Sequence, residues 1–543
     1  MIEILISILP FALGVFHEWT AALLSIVLIV MIALKAKNNK DFKCPFDILF
    51  AASVILPLAF LVSPLWAVDK GMTVLGFVKF LPLPLFLILL KNSPEVKDPF
   101  KYLPLSGSVM TVLSFILGLV IPKEGYFLVS NRLAGFFQYP NTFALFLLVA
   151  LSLLLLKEKL EKQDYVFAPI LLAGIVLSGS RTVFVLLMLF LCYRIITIKG
   201  KKLKLILAGA VVVTVLGSVV YVLATGNRDS VGRFLTTSFT SSTFIGRFLY
   251  FKDVLPQIIK HPFGLGYMGY FYSQGTFQTG VYSVNHVHND LLQILIDVGW
   301  LPTILFGIAV VKNFIKIDMK RKIVVIIMIL HLLFDFDMQF VAMDLIFLAL
   351  IFDDETKGEP VKGRKSFIVA TSVAALLSLY FAIPNFLSFI NQDKLAVKVY
   401  PAYTKSYVEL LLEADTADEM KDIADKIIKY DDSISIAYSA KARACFSEGD
   451  IPAMIENKAM AIERNKYSLV EYEDYIDMLT YCAKLYIDAE NYDSAQVCIN
   501  KIKEVPQKLQ EVKDGTSSLA YKIKDKPELD LPAEYQEILN ALG

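Results

Sequence analysis

Charged side chains are scarce in this 543-residue sequence: Asp, Glu, Lys and Arg make up 19%, against 56% for the nine hydrophobic types, and mean hydropathy is +0.57. Water-soluble domains carry about 25% charged residues and about 45–50% apolar ones with glycine counted in, so a purely soluble enzyme is excluded and most of the chain belongs in lipid. Cysteine is sparse too. Cys44, Cys192, Cys445, Cys482 and Cys498 form no CxxC pair and no metal-ligand spacing, which excludes zinc fingers and dithiol redox centres. The last three stand at helix-like spacing and suit either a disulfide or buried thiols. No metal, no cofactor and no nucleic-acid partner is expected. An excess of one charge sign is absent overall, the net charge being +1. That total hides an asymmetry, because residues 391–543 hold 29 acids against 19 bases, leaving the preceding part cationic. The chain divides into a membrane body, 1–390, and a polar tail, 391–543, the size of one domain.

Apolar runs able to cross about 30 Å of hydrocarbon as helices recur through the body. About thirteen are expected, at 2–16, 19–34, 47–62, 72–90, 102–121, 142–156, 165–177, 182–198, 205–224, 291–311, 323–334, 340–352 and 367–390. The first lacks a basic flank and a small-residue cleavage site, which argues for a retained anchor. Every second connection is rich in lysine, from Lys35, Lys37, Lys40 and Lys43 through to Lys357, Lys362, Arg364 and Lys365, while the alternate ones hold almost none. Short cytoplasmic loops retain such residues. The expected protein is therefore an all-α, multi-pass cell-membrane protein with its N-terminus inside. The loop at about 225–289, the turn 335–339 and the whole tail lie on the extracytoplasmic side.

The tail from 400 to 510 reads as successive amphipathic helix pairs. In "AYSAKARACFSEGDIPAMIENKAMAIERNKYS" the small residues Ala440, Ala444, Gly449, Ala459 and Ala461 fall where two antiparallel helices must approach closely. A second unit repeats the plan with Ala483, Tyr492, Ala495 and Pro506, lacks the glycine, and is longer. The pattern resembles a degenerate tetratricopeptide array; an ordinary helical cap domain would read the same way. It carries no catalytic constellation and suits a partner or acceptor surface.

Ionisable residues at membrane depth or at span ends are expensive and so mark function. They gather toward one face: Arg132 in "NRLAGFFQYPN", Arg181 in "LSGSRTVF", Arg247 in "STFIGRFLYFKDVLPQIIKHPFGLGY", His286 and His288 in "SVNHVHNDLLQILIDVGW", and His331 and Asp335 in "HLLFDFDMQF". His331 and Asp335 are four residues apart, one helical turn, and are expected to face the same way. Phe248, Phe251, Leu255, Ile258 and Ile259 recur at helical spacing, as in an interfacial helix that holds Arg247 near lipid headgroups.

In this order, and between spans, these motifs resemble the O-antigen ligase and polymerase superfamily of membrane glycosyltransferases over roughly 103–352. The resemblance implies a GT-C-like body that transfers a glycan from an undecaprenyl-diphosphate carrier to an acceptor hydroxyl on a glycan, protein or cell wall, with inversion and without a metal. It also marks His288, directly before Asn289, as the base, and Asp335 as an acceptor or supporting contact. The chemistry agrees on independent grounds. A lipid diphosphate gains charge as the sugar bond breaks, and guanidinium groups, always charged, grip phosphate oxygens bidentately, a role that suits Arg181, Arg247 and, less directly, Arg132. The acceptor hydroxyl must lose its proton, for which histidine is suited near neutral pH; His286 is placed to contact donor or acceptor, and Asn289 to orient His288. A polymerase joining repeat units needs the same groups. A transporter or flippase is disfavoured, since spans read as mostly uncharged inside and no internal repeat is visible.

Overall fold

The computed structural model describes residues 1–39, 41–121, 123–198, 200, 209, 242–353, 355 and 357–542. Helices dominate it, and the only strands among the described residues are two short antiparallel pairs, Lys43–Pro45 with Gly358–Pro360 and Leu128–Val129 with Arg132–Leu133. In chain order the body contains α1 (Ile2–Ile8), α2 (Glu18–Asn38), α3 (Ile48–Val62), α4 (Leu75–Phe80), α5 (Pro82–Lys91), α6 (Leu103–Val120), α7 (Pro140–Leu155), α8 (Asp164–Ser178) and α9 (Arg181–Thr197). After the undescribed stretch come α10 (Ser242–Lys260), α11 (Gly269–Phe277), α12 (Asp290–Val298), α13 (Trp300–Lys316), α14 (Met319–Leu332), α15 (Val341–Ile351) and α16 (Arg364–Phe389). Among the described residues, five helical stretches are long and apolar enough to cross a membrane: Glu18–Asn38, Ile48–Leu65, Met72–Lys91, Leu103–Val120 and Arg364–Phe389. Ile2–Phe11, Pro140–Leu155, Asp164–Ser178 and Val341–Ile351 are shorter apolar helices.

Two of the expected runs are broken in the structure. The run at 2–16 is one short helix followed by two 3₁₀ turns, broken where Leu13, Gly14 and Val15 all take positive φ. The run at 291–311 is two helices, α12 and α13, parted at Gly299. Gly299 has φ +80°, and a Cβ there would stand 2.2 Å from the Pro262 carbonyl oxygen, so only glycine lets the "HPFG" turn close against the break. The span expected at 205–224, and the part of the loop before residue 242, lie outside the described residues apart from Gly209.

Capping fixes the starts. Asp47 accepts from Phe50 N at 2.8 Å at the head of α3, and Asn289 from Leu292 N at 3.0 Å at the head of α12, each satisfying an amide that the first turn leaves unpaired. Pro140 opens α7, where its missing N–H costs nothing.

The tail continues through α17 (Asp393–Val399), α18 (Thr404–Leu412), α19 (Ala417–Tyr430), α20 (Ser435–Glu448), α21 (Ile451–Arg464), α22 (Leu469–Asp488), α23 (Tyr492–Gly515) and α24 (Ala533–Ala541). Consecutive helices pack as pairs around their own apolar clusters. Gly449 turns α20 into α21 with φ +78°; in the next pair Glu490 takes the same left-handed conformation, φ +56°. Cys445, Cys482 and Cys498 are buried free thiols. Beyond α23 the chain folds back on α10: Ser517 N donates to the Thr279 carbonyl at 2.9 Å, Lys252 Nζ to Ser517 Oγ at 3.0 Å, and Lys524 N to Ser242 Oγ at 2.6 Å. Ala520 and Ile523 pack there against Leu249 and Tyr282.

Candidate functional site

Six of the eight residues singled out by the sequence, Asp335, Arg247, His286, His288, Asn289 and His331, meet at the turn between α14 and α15, and Arg132 reaches it through Asn141. Asp335, 1% exposed, accepts hydrogen bonds from Tyr139 Oη at 2.7 Å, Asn141 Nδ2 at 2.8 Å and Arg247 Nη2 at 3.0 Å. These donors come from the start of α7 and from α10, so segments nearly two hundred residues apart meet on one carboxylate. Asn141 Oδ1 accepts from Arg132 Nη2 at 2.6 Å, and Arg132 Nε donates to the Ser178 carbonyl at 2.7 Å. Arg132 is held on the return strand of a hairpin whose Ser130 and Asn131 both take positive φ, as a tight two-residue turn requires. Arg181 opens α9 three residues beyond Ser178, after Gly179 ends α8 at φ +61°.

The imidazoles approach through Phe336, the neighbour of Asp335. Its ring centroid lies 4.5 Å from that of Tyr139 and 5.0 Å from those of His286 and His288. His288 adopts φ +59°, an unusual conformation for a side chain of this size. Its Nδ1 lies 2.9 Å from the His286 carbonyl oxygen. A carbonyl only accepts, so Nδ1 carries the proton and Nε2 presents a lone pair. Burial lowers the His288 pKa, with Asp335 opposing and Arg247 reinforcing, which keeps the ring neutral at neutral pH. Burial pushes His286 down to about 3, helped by Lys79 and His288. Burial would raise the Asp335 carboxyl, yet Arg247, His288, His331 and the Tyr139 hydroxyl together hold it below the usual carboxylate value. The result is an ionised acid bound to an arginine beside a neutral imidazole.

The expected His331–Asp335 pair does not form. Helix α14 ends at Leu332, so the helical phase is lost before Asp335, and His331 Nδ1 meets Asp337 Oδ2 at 2.5 Å instead. Asp337 also accepts from Thr142 Oγ1 at 2.7 Å. Asn289 Nδ2 donates to the Leu333 carbonyl at 2.9 Å and Asp290 Oδ2 accepts from Met338 N at 3.1 Å. His331 and Asn289 thus brace the backbone of the turn that carries Asp335 and Phe336.

Arg247 touches Asp335 through one nitrogen, and its side chain is 14% exposed. Its Nε and Nη1 have no hydrogen-bond partner among the described residues, so a pair of donors stays available for an anionic ligand. The apolar residues around it divide. Ile258 is buried beneath α10, whereas Phe248, Leu255 and Ile259 are exposed, as are Phe263, Leu65 and Trp66 nearby, with Trp66 Nε1 donating to the Phe263 carbonyl at 3.0 Å. These exposed side chains form an apolar rim on this face.

Sequence reasoning missed Tyr139, Asn141, Phe336 and Lys79. Tyr139 and Asn141 lie inside the quoted "QYPN" string, and their signal was its position directly before an apolar helix. Lys79 departs from the reading of uncharged spans: it is 1% exposed, its Nζ donates to the Phe16 carbonyl, and it lies 4.6 Å from the Phe16 ring centroid. Phe16 meets Phe340 at 4.8 Å and His286 at 6.3 Å between centroids, so this buried charge belongs to the same end of the bundle. Glu18, which accepts from the Tyr267 hydroxyl, lies within electrostatic reach of it.

Residues 166–307 match a family model described as O-Antigen ligase. That segment contains Arg181, Arg247, His286, His288 and Asn289; Arg132, His331 and Asp335 fall outside it. No curated protein and no solved structure matches the chain.

Proposed function

From the match of residues 166–307 to the O-Antigen ligase family model, we propose that the chain is a multi-pass glycosyltransferase moving a glycan from an undecaprenyl-diphosphate carrier to an acceptor hydroxyl on the outer face of the cell membrane. Residues 1–390 are the catalytic body of about thirteen crossings, and 391–543 form an extracytoplasmic helical domain with a tetratricopeptide-like plan. The observation that carries this reading is the meeting of Arg247 with Asp335 while His288 meets the adjacent Phe336 edge to face.

His288 Nε2 takes the proton of the acceptor hydroxyl as its oxygen attacks the anomeric carbon. The bond from that carbon to the diphosphate oxygen breaks on the opposite side, so configuration inverts and the lipid diphosphate leaves with the electron pair. The free donors of Arg247, with Arg181, stabilise the charge gathering on the leaving phosphate. Asp335 fixes the Arg247 guanidinium, and Arg132 acts through Asn141 on the same carboxylate. His286, neutral and buried, packs beside the base; His331 and Asn289 hold the turn. No step requires a metal. The rim of Phe248, Leu255 and Ile259 supports a donor delivered from the lipid layer.

The test is glycan transfer in membranes carrying His288→Ala or Arg247→Ala at normal protein levels. Transfer should be abolished in both; wild-type rates in both would remove the assignment. Loss of a surface glycan in a deletion strain, with its lipid-linked precursor accumulating, identifies the sugar.

A further inference from the structure

A cavity of about 930 Å³ lies at the end of the bundle remote from Asp335. Helix α7 connects the two places, since Tyr139 and Asn141 sit at its head while Leu153, Leu154 and Leu156 at its foot line the cavity. Sixteen residues at about 1.5 Å each separate them by roughly 24 Å. Helix α14 runs the opposite way, with Lys320 and Arg321 in the cavity wall and its last turn entering the catalytic turn. This is therefore a second site.

Its lining has two characters. Lys91, Lys97, Lys101, Lys157, Lys320 and Arg321 supply six cations against the three acids Asp98, Glu161 and Asp318. Arg321 pairs with Asp318 at 2.7 Å and Lys157 with Asp164 at 2.8 Å. Lys320 reaches Glu158 at 3.2 Å across an exposed gap, where an ion pair holds little. Lys97 and Lys101, on the loop after α5, enter no ion pair among the described residues. Beside Ser93 and Gln163 the rest of the wall is apolar, with Leu153, Leu154 and Phe352 among it.

Cations from three separate segments, facing a space floored by leucine and phenylalanine, suit an amphiphile with two negative charges. Basic pockets between membrane helices on the cytoplasmic side bind such headgroups. We propose that the cavity holds the headgroup of an anionic phospholipid with two phosphates, its acyl chains lying along Leu153, Leu154 and Phe352. Under the orientation proposed above the lipid comes from the inner leaflet, opposite the transfer site. A soluble diphosphate offers the same charges; the apolar floor favours the lipid.

The full-length protein is reconstituted in phosphatidylcholine nanodiscs with or without one-tenth cardiolipin, and bound lipid is read by native mass spectrometry together with thermal unfolding. Wild-type protein should retain cardiolipin and melt higher in its presence. Combining Lys97→Gln, Lys101→Gln and Lys320→Gln should weaken retention by about a hundredfold, at roughly fivefold per cation near an anionic lipid. A control with Lys159→Gln, Lys162→Gln and Lys362→Gln, basic residues of the same side outside the cavity, should retain it. Equal retention by both triple variants overturns the proposal, since it reduces the effect to the general basic belt. Equal stabilisation by inorganic pyrophosphate in lipid-free detergent overturns the assignment to a lipid. Neither readout depends on glycan transfer, so the result stands apart from the catalytic reading.

Discussion

If Asp335 acts by aiming Arg247, removing the two charges together should hurt no more than removing the arginine alone. Asp335→Asn keeps the volume but turns an amide toward three donors, at 2.7, 2.8 and 3.0 Å, around an atom group 1% exposed. The lost charged hydrogen bond to Arg247 is worth about 1.5–3 kcal/mol, and one buried donor left unpaired costs about 1–3 kcal/mol more. Arg247 is 14% exposed, so water recovers part of this, and a net effect of about 3 kcal/mol on folding is expected. On the transfer rate, misaiming one electrostatic contributor should cost about a hundredfold. Arg247→Gln alone should cost at least as much, and the double variant should resemble Arg247→Gln. The coupling read from the cycle should equal the Asp335→Asn effect itself, about a hundredfold or roughly 2.7 kcal/mol. The assay is initial rate of transfer by purified protein on a lipid-linked donor, with thermal unfolding of each variant alongside. Two single effects that simply multiply in the double variant would refute the positioning role.

Three further outcomes follow from particular residues. Because burial lowers the His288 pKa beneath the ordinary histidine value, transfer should be flat from pH 7 upward and fall only well below pH 6.5. The sign for stability is the same: the unfolded chain binds the proton more readily, so this histidine costs nothing above about pH 6.5 and destabilises increasingly below it; a rate that halves near pH 7.5 would contradict the buried neutral ring. Phe336→Leu keeps apolar bulk but removes ring contacts to Tyr139, His286 and His288 at 4.5–5.0 Å, worth about 1–2 kcal/mol in all; the transfer rate should drop about tenfold at unchanged expression, and an unaltered rate would show that the ring does not hold the imidazoles. Glu490→Gly relieves a non-glycine residue of φ +56° and should stabilise the tail by about 1 kcal/mol, seen as a higher midpoint of thermal unfolding; a lower midpoint would mean that the Glu490 side chain outweighs the backbone strain.

The helical class and most helix positions were legible because a run of apolar residues must close its own backbone hydrogen bonds, and a helix does so locally. Where a local rule met a tertiary demand, the sequence misled. The run 291–311 is apolar but for Gln293, Asp297 and Thr303, yet it breaks at Gly299 because the Pro262–Gly264 turn needs the space. His331 and Asp335 have helical spacing, yet α14 stops between them and the histidine finds Asp337.

Residue type likewise told which groups could do the chemistry: fixed guanidinium charges, imidazoles and an acid, gathered near span ends. Which of them touch was decided by the fold alone. Tyr139, Asn141, Arg247 and Asp335 are brought together across up to 196 positions of chain, and a one-dimensional pattern holds no record of contacts at such separation. The same holds for Lys79: as one lysine in an apolar stretch it is an anomaly, and its carbonyl and ring partner Phe16, on the connection just ahead of α2, makes it tolerable inside the bundle.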